Sequence, residues 1–291
     1  MFRHDKRLQY HSKPDRPDPV FANRLQEVIG GQWGEMSVTM AYLFQGWNCR
    51  GPAKYRDMLL DIGTEEIGHV EMLATMVARL LEGAPVDALE NAAKVPMIGA
   101  ILGGNDTRDV VAAAMNPQHL IVSGLGAMPV NSVGLPWNAG YIVASGNLAA
   151  DFRFNVTAES QGRLQVARLY ALTEDKGVRD FLSFLLARDT MHQNQWVAAL
   201  AELERDGLDG PPVPMSFPQS HELQEVSYQF MNFSYGTESS EGSWASGPAP
   251  DGKGTFQYVE DPQPMGEAPV LGQVDPRLHG TPIKPVPPVA G

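Results

Sequence analysis

The chain has 291 residues, 43% of them hydrophobic, enough to bury a full core as one large domain or as one domain with long appendages. A formal charge of −12 and a pI near 5.0 argue against nucleic acid or an anionic membrane as partner, because their phosphates would repel the protein at long range. A single cysteine, Cys49, excludes an internal disulfide and a thiolate metal set. With a polar N-terminal sequence and no apolar run of membrane-spanning length, it leads to the expectation of a soluble, unexported, cytoplasmic protein.

Residues 1–19 are polar and hold Pro14, Pro17 and Pro19, as an extended arm over 1–20 would. From about Phe21 to Phe44, Leu25, Val28, Ile29, Met36 and Leu43 recur at helical spacing. Gly30, Gly31 and Gly34 interrupt that pattern. Glycine costs about 1 kcal/mol against alanine inside a helix, so three of them beside Glu35 imply close packing or room for a metal and solvent. A second helix is expected over Ala53–Leu81, with Leu59, Ile62, Glu66, His69, Leu73, Met76 and Leu80 on one stripe. Prolines 85, 96, 117, 129 and 136 then mark residues 84–137 as a long crossover. A third helix over Ala139–Ala171 aligns Leu148, Phe152, Asn155, Glu159 and Val166. A fourth, over Val178–Leu203, aligns Phe181, Leu185, Asp189, His192, Trp196 and Ala199. Beyond residue 207 the composition changes, with 14 of the 23 prolines between Pro211 and Pro288, so 208–291 is expected to be an extended tail. Its large aromatics, among them Phe230, Tyr235 and Trp244, gain by burial against the bundle or a neighbouring subunit.

The informative feature is a repeat. Glu35 precedes Glu66 and His69, and Glu159 precedes Asp189 and His192, each carboxylate standing three residues before its histidine. The midpoints of the two sets, Arg50-Gly51-Pro52 and Thr173–Gly177, both read as turns. Equal rise along the two arms of a helical hairpin brings each glutamate level with its partner motif. Two such hairpins facing each other converge four carboxylates and two imidazoles, the ligand arrangement of ferritin-like di-metal bundles. The expected fold is therefore all-α: a ferritin-like four-helix bundle over 21–207 with a long crossover and an extended proline-rich C-terminal tail.

Carboxylate and imidazole without thiolate suit manganese or iron. A two-metal site with open positions passes two electrons at once, which makes peroxide or dioxygen the natural substrate class. Glu66 is the best bridging candidate. Asp189, one methylene shorter, is expected just outside the ligand set, handling protons. Tyr42, seven residues after Glu35, is read as a donor to that glutamate.

With these residues in hand, the chain resembles the manganese catalases over nearly its whole length. The resemblance rests on Gly63-Thr64-Glu65-Glu66-Ile67-Gly68-His69-Val70-Glu71-Met72, on Phe44-Gln45-Gly46-Trp47, on Ala187-Arg188-Asp189-Thr190-Met191-His192-Gln193 and on the aromatic, proline-rich tail. It implies two manganese ions per subunit, held by Glu35, Glu66, His69, Glu159 and His192, dismutating hydrogen peroxide to water and dioxygen. It implies Tyr42 as a tyrosine behind the ligands, and Asp189 where a glutamate is common. Ala158 stands where some members carry a cation. It further implies a homohexamer with wrapping tails and a calcium site, with Asp57 and Asp61 as the helical half and Asn232, Ser234 and Gly236 as the tail half. The runner-up is a di-iron ferritin-like oxidase or peroxidase on the same ligands. A purely structural role is disfavoured because both Glu–ExxH-type halves are present.

Overall fold

Asp18 opens the first helix: its side chain accepts from the Phe21 amide at 2.9 Å, and Pro19 follows at the first helical position, where its missing N–H costs nothing. The computed structural model describes residue 4 and residues 6–82, 122–209, 221–233 and 235–266. The chain divides into two compact units, Met1–Ser216 and Phe217–Gly291.

In the first unit, α1 spans Pro19–Gly30, α2 Glu35–Asn48, α3 Ala53–Leu81, α4 Leu148–Ala171 and α5 Lys176–Arg205. Asn147 and Asp175 cap α4 and α5 through the amides of Ala150 and Val178. Helix α2 packs chiefly on α3, and α4 on α5, through short turns at 49–52 and 172–175, so both expected hairpins form. The arm lies along α3 and α5, with Tyr10 stacked on Phe184 at 4.4 Å and bonded to Asp180.

Two of the expected helical segments are interrupted. The first segment is broken into α1 and α2, because its glycines serve close backbone approach. A Cβ on Gly30 would stand 2.5 Å from the Val130 carbonyl, and one on Gly34 would stand 2.7 Å from the Val28 carbonyl oxygen. The third helix starts at Leu148, not Ala139: Ala139–Tyr141 is an isolated 3₁₀ turn, and Gly146, at φ +79°, turns the chain into the Asn147 cap. Of the crossover at 84–137, residues 84–121 lie outside the described residues. Its remainder is tied to α1, where the Gln26 amide donates to the carbonyls of Met128 and Val130.

The core has two hydrophobic clusters. One gathers Leu25, Leu73, Met76, Val166, Phe181 and Leu185, and the other gathers Tyr42, Leu59, Ile62, Phe152, Trp196 and Leu203. Helix α3 enters the second cluster first and the first cluster last, while α5 runs the other way, so the two are antiparallel. The candidate ligands lie where the helices pass from one cluster to the other.

The described part of the second unit is a small three-stranded sheet in the order β1-β3-β2, formed by β1 (Gln229–Met231), β2 (Gly247–Pro248) and β3 (Thr255–Val259). Strand β1 pairs parallel to β3, and β2 antiparallel to it. The proline content predicts this region as simply extended. The alternating Thr255-Phe256-Gln257-Tyr258-Val259 and the turn at Gly252, φ +68°, build the ladder instead.

Candidate metal centre

Glu66 and His69 on α3 and Asp189 and His192 on α5 occupy the expected stripes, and every residue of those two stripes is buried. Glu35 is the first residue of α2, where the positive end of the helix dipole favours a carboxylate, and Glu159 lies midway along α4. All six residues are buried, so the apolar stripes deliver four carboxylates and two imidazoles into the interior.

Glu66 stands between the histidines. Its Oε2 is 2.6 Å from Nδ1 of His69 and its Oε1 is 2.7 Å from Nδ1 of His192. Glu35 Oε2 is 3.6 Å from the same atom of His69, and Glu159 Oε1 is 4.0 Å from that of His192. The imidazole centroids are 5.5 Å apart, with the rings 24° from parallel. Three ligand-sized groups result: Glu66–His69–His192, Glu35–His69–Asp189 and Glu159–Asp189–His192, each with ligand atoms within 4.8 Å of one another. Asp189 joins both ends of the cluster.

The electrostatics follow from crowding like charges out of water. Burial and the charge of Glu66 raise Glu35 to about 8. Burial, with Glu66 and Asp189 nearby, raises Glu159, and burial with the charges of Glu35 and Glu66 raises Asp189. Glu66 moves the other way: burial opposes its ionisation, but the two histidines outweigh it and hold its carboxyl below the usual range. Burial would lower His192, yet attraction to Glu66 dominates and lifts it to about 10, and His69 is raised for the same reason.

Tyr42 was expected to serve Glu35. Its hydroxyl instead donates to Oε1 of Glu159 at 2.6 Å. One residue escaped the sequence reading. Glu65 Oε2 lies 3.1 Å from Nε2 of His192 and its Oε1 lies 3.7 Å from Nε2 of His69, the far nitrogens of both rings. The signal was a carboxylate one helical turn before His69, masked by the more conspicuous Glu66. Of the calcium candidates, Asp57 and Asp61 are exposed on one face of α3 and belong to none of the three groups found among the described residues. Asn232 donates to the Gly236 carbonyl at 2.9 Å, and Ser234 lies outside the described residues.

The donor set fits a pair of hard or borderline cations. Both oxygens of Glu66, Nδ1 of His69 and Nδ1 of His192 are buried and make no aligned hydrogen bond despite their proximity. Leaving several such atoms unsatisfied costs about 1–3 kcal/mol each, and a metal ion accepts lone pairs from all of them.

Comparison with known proteins gives a consistent answer. The family model described as manganese containing catalase matches residues 1–290. A manganese catalase of Bacillus subtilis is 60% identical over 97% of this chain and 98% of its own length. One from Lactiplantibacillus plantarum is 48% identical over 96% and 98%. The crystal structure of wild-type KatB, a manganese catalase from Anabaena, superposes with a TM-score of 0.68 at 27% identity, covering 90% of this chain and 100% of that one.

Proposed function

The chain belongs to the manganese-containing catalases, and from that premise we propose that Glu35, Glu66, His69, Glu159 and His192 are its manganese ligands. The family function is dismutation of hydrogen peroxide, two molecules yielding two of water and one of dioxygen, at a dimanganese centre. The manganese pair, when bound, supplies the two-electron redox step. In this reading Glu35 and His69 would hold one ion and Glu159 and His192 the other, with the Glu66 carboxylate between them. The observation that carries it is the approach of the two Glu66 oxygens to one Nδ1 of each histidine, at 2.6 and 2.7 Å, without hydrogen-bond alignment.

Asp189 is proposed as the proton-handling group. Its support is its membership of both end groups, with burial and neighbouring carboxylates raising its affinity for a proton near the reacting centre. Tyr42 is proposed to hold Glu159 in its orientation. The buried surroundings exclude bulk water from both.

The chain is proposed to comprise an arm 1–20, a bundle 21–207 and a tail 208–291, and to assemble as a homohexamer. Support for assembly comes from tail side chains left open to solvent, Phe233 at 83% and Trp244 at 57% exposure. The proposal also includes calcium at Asp57 and Asp61, two exposed carboxylates one turn apart on α3. A cytoplasmic location is supported by the free Cys49; among the described residues no helix is long and apolar enough to cross a membrane.

The test is elemental analysis of the purified protein with an oxygen electrode on added peroxide. Two manganese per chain and oxygen release support the reading. Iron in its place, with peroxide consumed but no oxygen released, would favour the di-iron alternative.

A further inference from the structure

Glu65 is adjacent to Glu66 on α3 but meets the two imidazoles on their other edge. Glu66 faces both Nδ1 atoms, and Glu65 faces both Nε2 atoms. Its carboxylate is itself held from outside the cluster. Arg188 Nε donates to Oε1 at 2.6 Å and Arg188 Nη2 to Oε2 at 3.2 Å, while the Gln9 amide of the N-terminal arm donates to Oε1 at 2.7 Å. Arginine offers no acceptor, so this two-pronged contact fixes the plane of the carboxylate and compensates its charge. An ionised carboxylate only accepts; at 3.1 Å from His192 Nε2 it therefore keeps the ring proton there. The ring's Nδ1 is left for the opposite side. The His69 contact, at 3.7 Å, is longer than a hydrogen bond and acts through charge.

We propose that Glu65 is a positioning residue for both metal positions at once, one carboxylate that sets the tautomer and orientation of His69 and His192 so that each presents Nδ1 toward Glu66. The inference rests on the reading of those three residues as ligands. A ligating histidine almost always donates its other ring N–H to a carboxylate, a backbone carbonyl or water. Here one side chain serves two rings. Its loss therefore falls on the pair of ions together, and falls harder on the His192 side, where the contact is within hydrogen-bonding distance.

Glu65→Gln tests this. Glutamine keeps the shape, but one of its two ends becomes an N–H₂ donor that opposes either an imidazole N–H or Arg188. Manganese titration of the metal-free variant should give binding about 10–100-fold weaker than wild type, the usual consequence of losing such a partner. Electron paramagnetic resonance at partial loading should show isolated Mn(II) in place of the coupled-pair signal. Glu71→Gln, on the same helix and bonded to His4, is the control and should bind as wild type. Should Glu65→Gln misfold by circular dichroism, Glu65→Asp, which keeps the charge but withdraws it by one methylene, takes its place with the same two readouts. A folded variant with wild-type affinity and an unchanged coupled-pair spectrum overturns the proposal. Wild-type protein that binds no manganese pair would instead overturn the ligand reading beneath it.

Discussion

Tyr42 on α2 donates its hydroxyl to Oε1 of Glu159 on α4 across 2.6 Å, with both side chains buried. The bond links the two hairpins at the cluster. Glu35, seven residues earlier on the same helix, acts on the hydroxyl only through its charge. The hydroxyl reaches across the bundle instead.

Tyr42→Phe should therefore act on the second metal position. A hydrogen bond to a charged group is worth about 1.5–3 kcal/mol, so the variant should bind manganese less tightly and dismutate more slowly while the fold persists. Manganese content after dialysis, read beside peroxide-driven oxygen release, checks this. Full metal content with full activity would remove Tyr42 from the account.

Asp189→Asn should lower the rate of dismutation while both ions stay bound, because the amide cannot take up a proton but retains most of the volume and polarity. The measurement is the rate per bound manganese. A variant that loses metal would make Asp189 a ligand and revise its role.

The metal-free protein should become less stable as pH rises. Glu35 lies at about 8 against an ordinary 4.5, and His192 at about 10 against 6.5. Both folded values are raised, so the stability they contribute is complete below the ordinary values and is lost as pH passes up through the folded ones. Glu65 and Glu66 are shifted down and stay ionised throughout, adding nothing to the slope. Melting temperature should fall between about pH 6 and pH 10 without metal, and manganese affinity should rise over that range as the competing protons leave. A melting temperature that climbs with pH in metal-free protein would show the wrong sign.

If the chain forms the proposed homohexamer, truncation after Pro218 should shift it to smaller species in light scattering, since it removes Phe233, Trp244 and the three strands together. An unchanged oligomer with an unchanged melting temperature would leave the tail as a surface appendage.

Much of this was legible in the chain itself. Helix α3 ends where its apolar period ends, and α5 exceeds its expected span by two residues at each end, because each carries an unbroken stripe bounded by a turn or cap. The metal candidates were legible for the same reason, as polar residues interrupting those stripes. The division of α1 from α2 was not, since what Gly30 accommodates is the backbone of Val130, a hundred residues away. Nor was the role of Glu65, whose partners Arg188 and His192 lie on another helix 123 and 127 residues on. The tail strands of two to five residues were hidden among prolines that suggested only extension.

The central claim is that Glu66 bridges two manganese ions held at opposite ends by Glu35 with His69 and by Glu159 with His192. An anomalous difference map from a crystal grown with manganese, with data collected on both sides of the manganese absorption edge, tests it directly. Two peaks are expected, each about 2.0–2.3 Å from a Glu66 oxygen, as hard first-row ligands require, with Nδ1 of one histidine against each. A single peak, or manganese bound away from Glu66, would contradict it.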